Sequence, residues 1–117
     1  MHWHPNADEW SYFVRGRAHV AVFASGNSAR TFNYVAGDVG IVPKSMGHYV
    51  ENLSDTEEVE MLEMFRAPRF EDFSLEQWLA STPNRNVREH VFQADERAGK
   101  KFEEELEAVK RPVKPML

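Results

Sequence analysis

GDVGIVPKSMGHYVEN, residues 37–52, holds a turn, a strand, a second turn and a histidine, and its reading decides what the rest of the chain builds. Gly37-Asp38 launches a strand that Pro43 ends, because proline cannot donate to a sheet ladder. His48 then opens another strand, with Val50 and Asn52 on its own face and Tyr49 and Glu51 opposed, since alternate side chains of a strand share a face. Taken alone, His48 reads as a core histidine or as a ligand.

Outward from that stretch, the same texture covers the first half of the chain. Short apolar segments are broken by turn formers at Arg15-Gly16, Ser25-Gly26-Asn27-Ser28, Ala36-Gly37-Asp38 and Asn52 to Asp55. This is the spacing of an antiparallel sandwich or barrel. Strands are predicted near Ser11–Val14, Ala18–Phe23, Thr31–Tyr34, Val39–Val42, Tyr49–Asn52 and Val59–Phe65. Beyond Arg66–Pro68 helix signals take over, which predicts a β core over residues 1–67 and a helical extension over 68–117. In FSLEQW, residues 73–78, Ser74 caps a helix beginning at Leu75, with Gln77 three residues on and Phe73 and Trp78 placed as a staple. Thr82-Pro83 repeats the signal, with Pro83 at the first helical position and Val87 and Val91 one turn apart. KKFEEELEAVKR, residues 100–111, makes an apolar stripe of Phe102, Leu106 and Val109 opposite Glu103, Glu104 and Glu107, whose charges read as a solvated face.

Composition excludes several classes of function. The 117 residues suffice for one domain, and 14 Lys+Arg against 19 Asp+Glu give a net charge of −5, without the basic stripe that nucleic acid demands. With no cysteine, thiol nucleophiles, disulfides, zinc fingers and iron–sulfur clusters are ruled out. No apolar run approaches the roughly 20 residues of a membrane span, and no signal-peptide pattern stands at the start, so a soluble, cytoplasmic protein is expected.

The N-terminal stretch MHWHPNADEW supplies the other half of the chemistry. His2 and His4 project together from an extended segment while Trp3 points away, and Glu9 returns beside them after Pro5-Asn6-Ala7-Asp8. The alternative is a frayed, histidine-bearing terminus with no site. Together the two stretches read H-x-H-x4-E-x6-G over residues 2–16 and G-x5-P-x4-H-x3-N over residues 37–52.

This paired pattern resembles the two motifs of the cupin superfamily, which lie on facing strands of a small β-barrel. HWHPNADEWSYFVRGRAHVAVFASGNSARTFNYVAGDVG, MGHYVEN, LEMFR and FSLEQWLA are similar to the C-terminal cupin of the two-cupin oxalate decarboxylases, over about Met1 to Val91. The resemblance implies an all-β, double-stranded β-helix (jelly-roll) barrel, truncated at its N-terminus, with short C-terminal helices. It implies His2, His4, Glu9 and His48 as manganese ligands and Glu63 as the carboxylate near the metal. Three imidazoles and one carboxylate are too oxygen-poor for calcium and suit Mn(II) or Fe(II), leaving two positions open. The implied activity is conversion of oxalate to formate and carbon dioxide with dioxygen as co-catalyst. An oxalate oxidase and a catalytically idle metal-binding module of a bicupin are the alternatives.

Strand alternation over EEVEMLEMF, residues 57–65, puts Val59, Met61, Glu63 and Phe65 on one face. If that face lines the barrel, apolar neighbours raise the Glu63 carboxyl; if Leu62 and Met64 point inward instead, Glu63 is merely exposed. Ser45 stands where the family usually has glycine, so the loop before His48 is expected to be shaped differently. The arginine and strands that precede the first histidine in the family have no counterpart, which reads as a bicupin fragment or a late start. Open edges backed by barrel-lining Val20, Val22 and Ile41 then predict a homo-oligomer, most simply a dimer, with the C-terminal helices reaching a partner's barrel. His19 and His90 read as surface or rim histidines, and Trp3, Trp10, Tyr12 and Phe13 as packing. Ser11 and Ser45 lack the partners of a hydrolase triad.

Overall fold

The computed structural model describes residues Met1–Val87, together with Glu89, Lys101 and Glu104. Eight strands and two short helices follow in order: β1 His2–Trp3, β2 Glu9–Arg15, β3 Arg17–Ala24, β4 Ser28–Val35, β5 Val39–Val42, β6 Gly47–Asn52, β7 Glu60–Phe65, β8 Phe73–Ser74, α1 Leu75–Ser81 and α2 Asn84–Asn86. Two compact units, Met1–Phe73 and Ser74–Leu117, divide the chain. No helix among the described residues is long and apolar enough to cross a membrane.

The strands form two antiparallel sheets, one ordered β4-β3-β6-β1-β8 and the other β5-β2-β7. Among the described strands only β3 and β4 are joined as a hairpin within one sheet, through Ser25–Asn27, where Gly26 and Asn27 take positive φ. The connections at Gly16, at Gly37-Asp38, at Pro43–Met46 and at Leu53–Val59 each carry the chain from one sheet to the other. That alternation is the jelly-roll topology expected from the motif pattern.

The glycine that ends the first motif makes the first of these crossings. Gly16 has φ +85°, and a Cβ there would lie 2.4 Å from the Glu58 carbonyl oxygen. Only glycine accepts both the left-handed backbone and the close approach. Asn52, which ends the second motif, donates from Nδ2 to the Glu57 carbonyl and accepts from the Ser54 backbone N–H, closing the turn between β6 and β7.

Inside the barrel, Phe13, Ala18 and Val20 form the buried core, with Val22, Tyr34, Val50, Val59 and Met61 packed against them. The Phe13 and Tyr34 rings stack with centroids 4.6 Å apart. In the second unit, the Ser74 hydroxyl accepts from the Gln77 backbone N–H and caps α1, as the sequence predicts. Val87 and Ala80 are buried against Leu79. The expected helix over residues 100–111 and its stripe, as well as Val91 and His90, lie outside the described residues.

Three expectations are corrected. Ile41 does not line the barrel: in β5 Gly40 and Val42 turn inward, so Ile41 faces out and is 45% exposed. Trp10 and Tyr12 are not packed; they alternate with the inward Glu9, Ser11 and Phe13 and lie on the outer face of β2. The loop before His48 keeps a glycine-like shape in spite of its serine, because Ser45 itself adopts φ +66° while its N–H donates to the His4 carbonyl.

Candidate metal centre

The two sheets meet at one end of the barrel, where β1, β2 and β6 converge. His2 lies opposite His48 in the β1–β6 ladder, with their rings 4.3 Å apart. Trp3, on the other face, stacks on Phe73 at 5.7 Å. His4 follows β1 and is buried, with Phe65 and Phe70 against its ring. Glu9 opens β2 and is 2% exposed. Donor atoms of His2, His4, Glu9 and His48 all lie within 4.8 Å of one another.

Backbone carbonyls fix which ring atoms face the centre. Nδ1 of His4 donates to the Glu71 carbonyl at 2.9 Å, and Nδ1 of His48 to the Met46 carbonyl at 3.0 Å. A carbonyl only accepts, so each Nδ1 carries a proton and each Nε2 is turned inward. Both Nε2 atoms address one oxygen: Glu9 Oε2 lies 2.9 Å from that of His48 and 3.1 Å from that of His4. The other carboxylate oxygen, Oε1, accepts from the Ser11 hydroxyl at 3.0 Å. Ser11 therefore positions Glu9, a role that no hydrolase motif would reveal. Its signal is alternation: Ser11 is two residues from Glu9 and shares its face.

This arrangement poses a problem that one proton cannot solve. A proton between His48 and Oε2 makes a hydrogen bond, but His4 Nε2 is then a buried lone pair facing a carboxylate, and it has no hydrogen-bond partner. An uncompensated buried polar atom of this kind is costly. A cation bound to all the inward atoms removes the conflict. Donors about 2.1 Å from a divalent ion and at right angles to one another sit about 3 Å apart, which the two shortest separations match. The residues present thus fit a metal ion.

Electrostatics couple these groups to one another. Burial would raise the Glu9 carboxyl, but the hydrogen bond from His48 and its charge, with help from Ser11, hold it below the ordinary carboxylate value. Burial would lower His48, but Glu9 and the Met46 carbonyl outweigh it and raise the ring. His2 is lowered by burial and by the neighbouring His48, which keeps its ring neutral and its lone pair available.

Glu63 stands opposite Ser11 in the β2–β7 ladder, on the inner face, yet remains exposed to solvent. Its carboxyl is raised by partial burial and then by the Glu9 charge, with Asp72 adding to the effect and His4 and His48 opposing it. Desolvation is thus the leading cause, as expected for the inner face, and the ionisable neighbours modify it. Leu62 and Met64 face outward, at 59% and 53% exposure. His19 lies away from the centre, hydrogen-bonded to Asn33 at 2.8 Å.

Comparison with known proteins places this geometry in context. The Cupin family profile matches residues 1–100. The chain is 50% identical over 113 residues to the oxalate decarboxylase OxdC of Bacillus subtilis, covering 97% of this chain and 28% of that protein. A crystal structure of Lactobacillus farciminis oxalate decarboxylase in complex with formate is 45% identical, with a TM-score of 0.77 over 86% of this chain and 29% of its own. A structure used to assign the Mn(II) centres of Bacillus subtilis oxalate decarboxylase is 49% identical, with a TM-score of 0.78 over 85% of this chain and 26% of its own. The chain thus spans less than a third of the length of each.

Proposed function

The chain belongs to the cupin family, and from that premise we propose that it is a manganese-binding cupin of the oxalate decarboxylase type, converting oxalate to formate and carbon dioxide. The observation that carries the proposal is the single oxygen, Glu9 Oε2, addressed by the inward nitrogens of both His4 and His48. The similar proteins described as oxalate decarboxylases, one bearing Mn(II) centres and one holding formate, support manganese and oxalate over other choices.

His2, His4, Glu9 and His48 would hold the ion. When bound, Mn(II) supplies a Lewis acid and redox partner with open positions for a small dicarboxylate, and dioxygen belongs to the same reading as co-catalyst. The chain's own residues do the rest. Glu71 and Met46 carbonyls keep the imidazoles in one tautomer, and Ser11 keeps Glu9 in one rotamer. Loss of carbon dioxide from oxalate leaves a carbon that must take up a proton to become formate. Glu63 would hold that proton: its carboxyl is raised above the ordinary carboxylate value, chiefly by burial, and is open to solvent for recharging.

The test combines metal analysis with product assay. His4→Ala removes one donor and should weaken manganese binding by about 100-fold or more. Unchanged metal content would sink the ligand assignment. Glu63→Gln keeps the volume and removes the titrating proton, so metal should stay while formate production falls by about 10²–10⁴-fold. Hydrogen peroxide in place of formate would make the chain an oxidase, and bound metal with neither product an idle module.

A further inference from the structure

Ser11 belongs to a second polar layer, built from both sheets. It lies opposite Gly40 in the β2–β5 ladder, and Gly40, buried in β5, brings no side chain to the inner face. Tyr34 of β4, from the other sheet, fills that place: a Cβ on Gly40 would lie 3.1 Å from its hydroxyl oxygen. Stacking on Phe13 fixes the Tyr34 ring there. Burial and then the Asp38 charge raise the Tyr34 phenol above its ordinary value, so it stays protonated and able to donate. A small cavity of about 10 Å³ lies where the metal centre meets the apolar core, with Glu9, His48, Ser11, Tyr34 and Gly40 in its wall.

Resting on the manganese reading above, we infer that Ser11, backed by one water held in this cavity by Tyr34, limits Glu9 to a single bond with the metal ion. The two oxygens of the carboxylate are differently engaged. Oε2 faces His4 and His48, while Oε1 accepts from the buried Ser11 hydroxyl at 3.0 Å. A carboxylate that chelates through both oxygens must give up that bond, and hydrogen bonds to an ionised acceptor are among the strong ones. The cavity suits the water in size and in chemistry. One water needs roughly 10–15 Å³ and two or more polar partners. Here it accepts from the Tyr34 hydroxyl and donates to a lone pair of Ser11 Oγ, whose own proton is committed to Glu9. All three donors then point the same way, from Tyr34 through the water and Ser11 to Oε1, and each bond in such a chain strengthens the next. The consequence is a coordination count. With Glu9 bound through one oxygen, the four protein ligands of an octahedral ion leave two positions for a dicarboxylate, and a chelating Glu9 would leave one. Ser11 touches neither ion nor substrate and is a positioning residue.

The experiment is Mn(II) EPR of the full chain, alone and titrated with oxalate in the absence of dioxygen, for wild type, Ser11→Ala and Tyr34→Phe. The zero-field splitting of Mn(II) follows the number and symmetry of its ligands, so it reads the binding mode of Glu9 itself. Ser11→Ala should alter that splitting and weaken oxalate binding by about 10–100-fold while manganese stays bound. Tyr34→Phe should move both in the same direction by less. A Ser11→Ala spectrum and oxalate affinity identical with those of the wild type overturn the inference and leave the manganese reading intact. Should Ser11→Ala fail to fold, Tyr34→Phe decides alone, and an unchanged splitting overturns the inference. Wild-type protein that binds manganese but no oxalate overturns the oxalate reading instead, and the splitting of Ser11→Ala still decides the role of Ser11. A wild-type chain that takes up no manganese overturns both.

Discussion

Ser45 shows how much a single backbone angle contributes to the metal centre. Its N–H donates to the His4 carbonyl at 2.7 Å, which ties the loop before His48 to the segment that carries the other histidines. That bond is made with φ at +66°, a conformation costing a residue with a Cβ about 1–2 kcal/mol. Ser45→Gly should therefore stabilise the chain by about 0.5–1 kcal/mol, net of glycine's greater freedom when unfolded, without changing metal affinity. Denaturant unfolding checks the first expectation and metal titration the second; a destabilised variant would show that the hydroxyl, 3.5 Å from the Pro5 carbonyl, matters more than the angle. At this scale the four metal-facing residues were legible because two spaced motifs constrain them. Ser11 was not, since a serine that steadies a carboxylate leaves no signature beyond strand alternation. Nor was the solvent exposure of Glu63, which depends on how far the barrel mouth is open.

Among the elements, strands were more legible than the faces they present. Alternation located each of the six main strands to within a few residues, and Gly16, Gly37 and Pro43 marked where the chain changes sheet. Alternation also showed that Trp10 and Tyr12 share a side, but apolar residues on both faces leave open which side meets the core. The inward Glu9, Ser11 and Phe13 resolve it only once β2 is seen paired between β5 and β7. Gly16 belongs to this scale because it joins β2 to β3 across the two sheets. Gly16→Ala forces a Cβ against the Glu58 backbone on top of a disfavoured φ, and should destabilise the barrel by about 2–4 kcal/mol. Thermal melting checks it, and a loss below about 1 kcal/mol would mean that the β6–β7 turn can move aside.

For the molecule as a whole, the Glu9–His48 pair links stability to pH once metal is stripped by a chelator. Glu9 is lowered in the folded chain, so its contribution is present above its ordinary value of 4.5 and is lost as pH falls through the folded value. His48 is raised, so its contribution is full below its ordinary value of 6.5 and is lost as pH rises through the folded value. For this pair alone, metal-free protein should accordingly be most stable between about pH 4.5 and 6.5, with the lowered His2 opposing it below 6.5. Melting temperature against pH checks this, and a curve still rising at pH 8 would contradict it. The topology adds an order in time. Six connections between the described strands switch sheets, four of them between His2 and His48, and contacts so far apart in sequence are slow to form. Completing the metal centre therefore depends on contacts far apart in sequence, which ties its formation to that of the barrel as a whole.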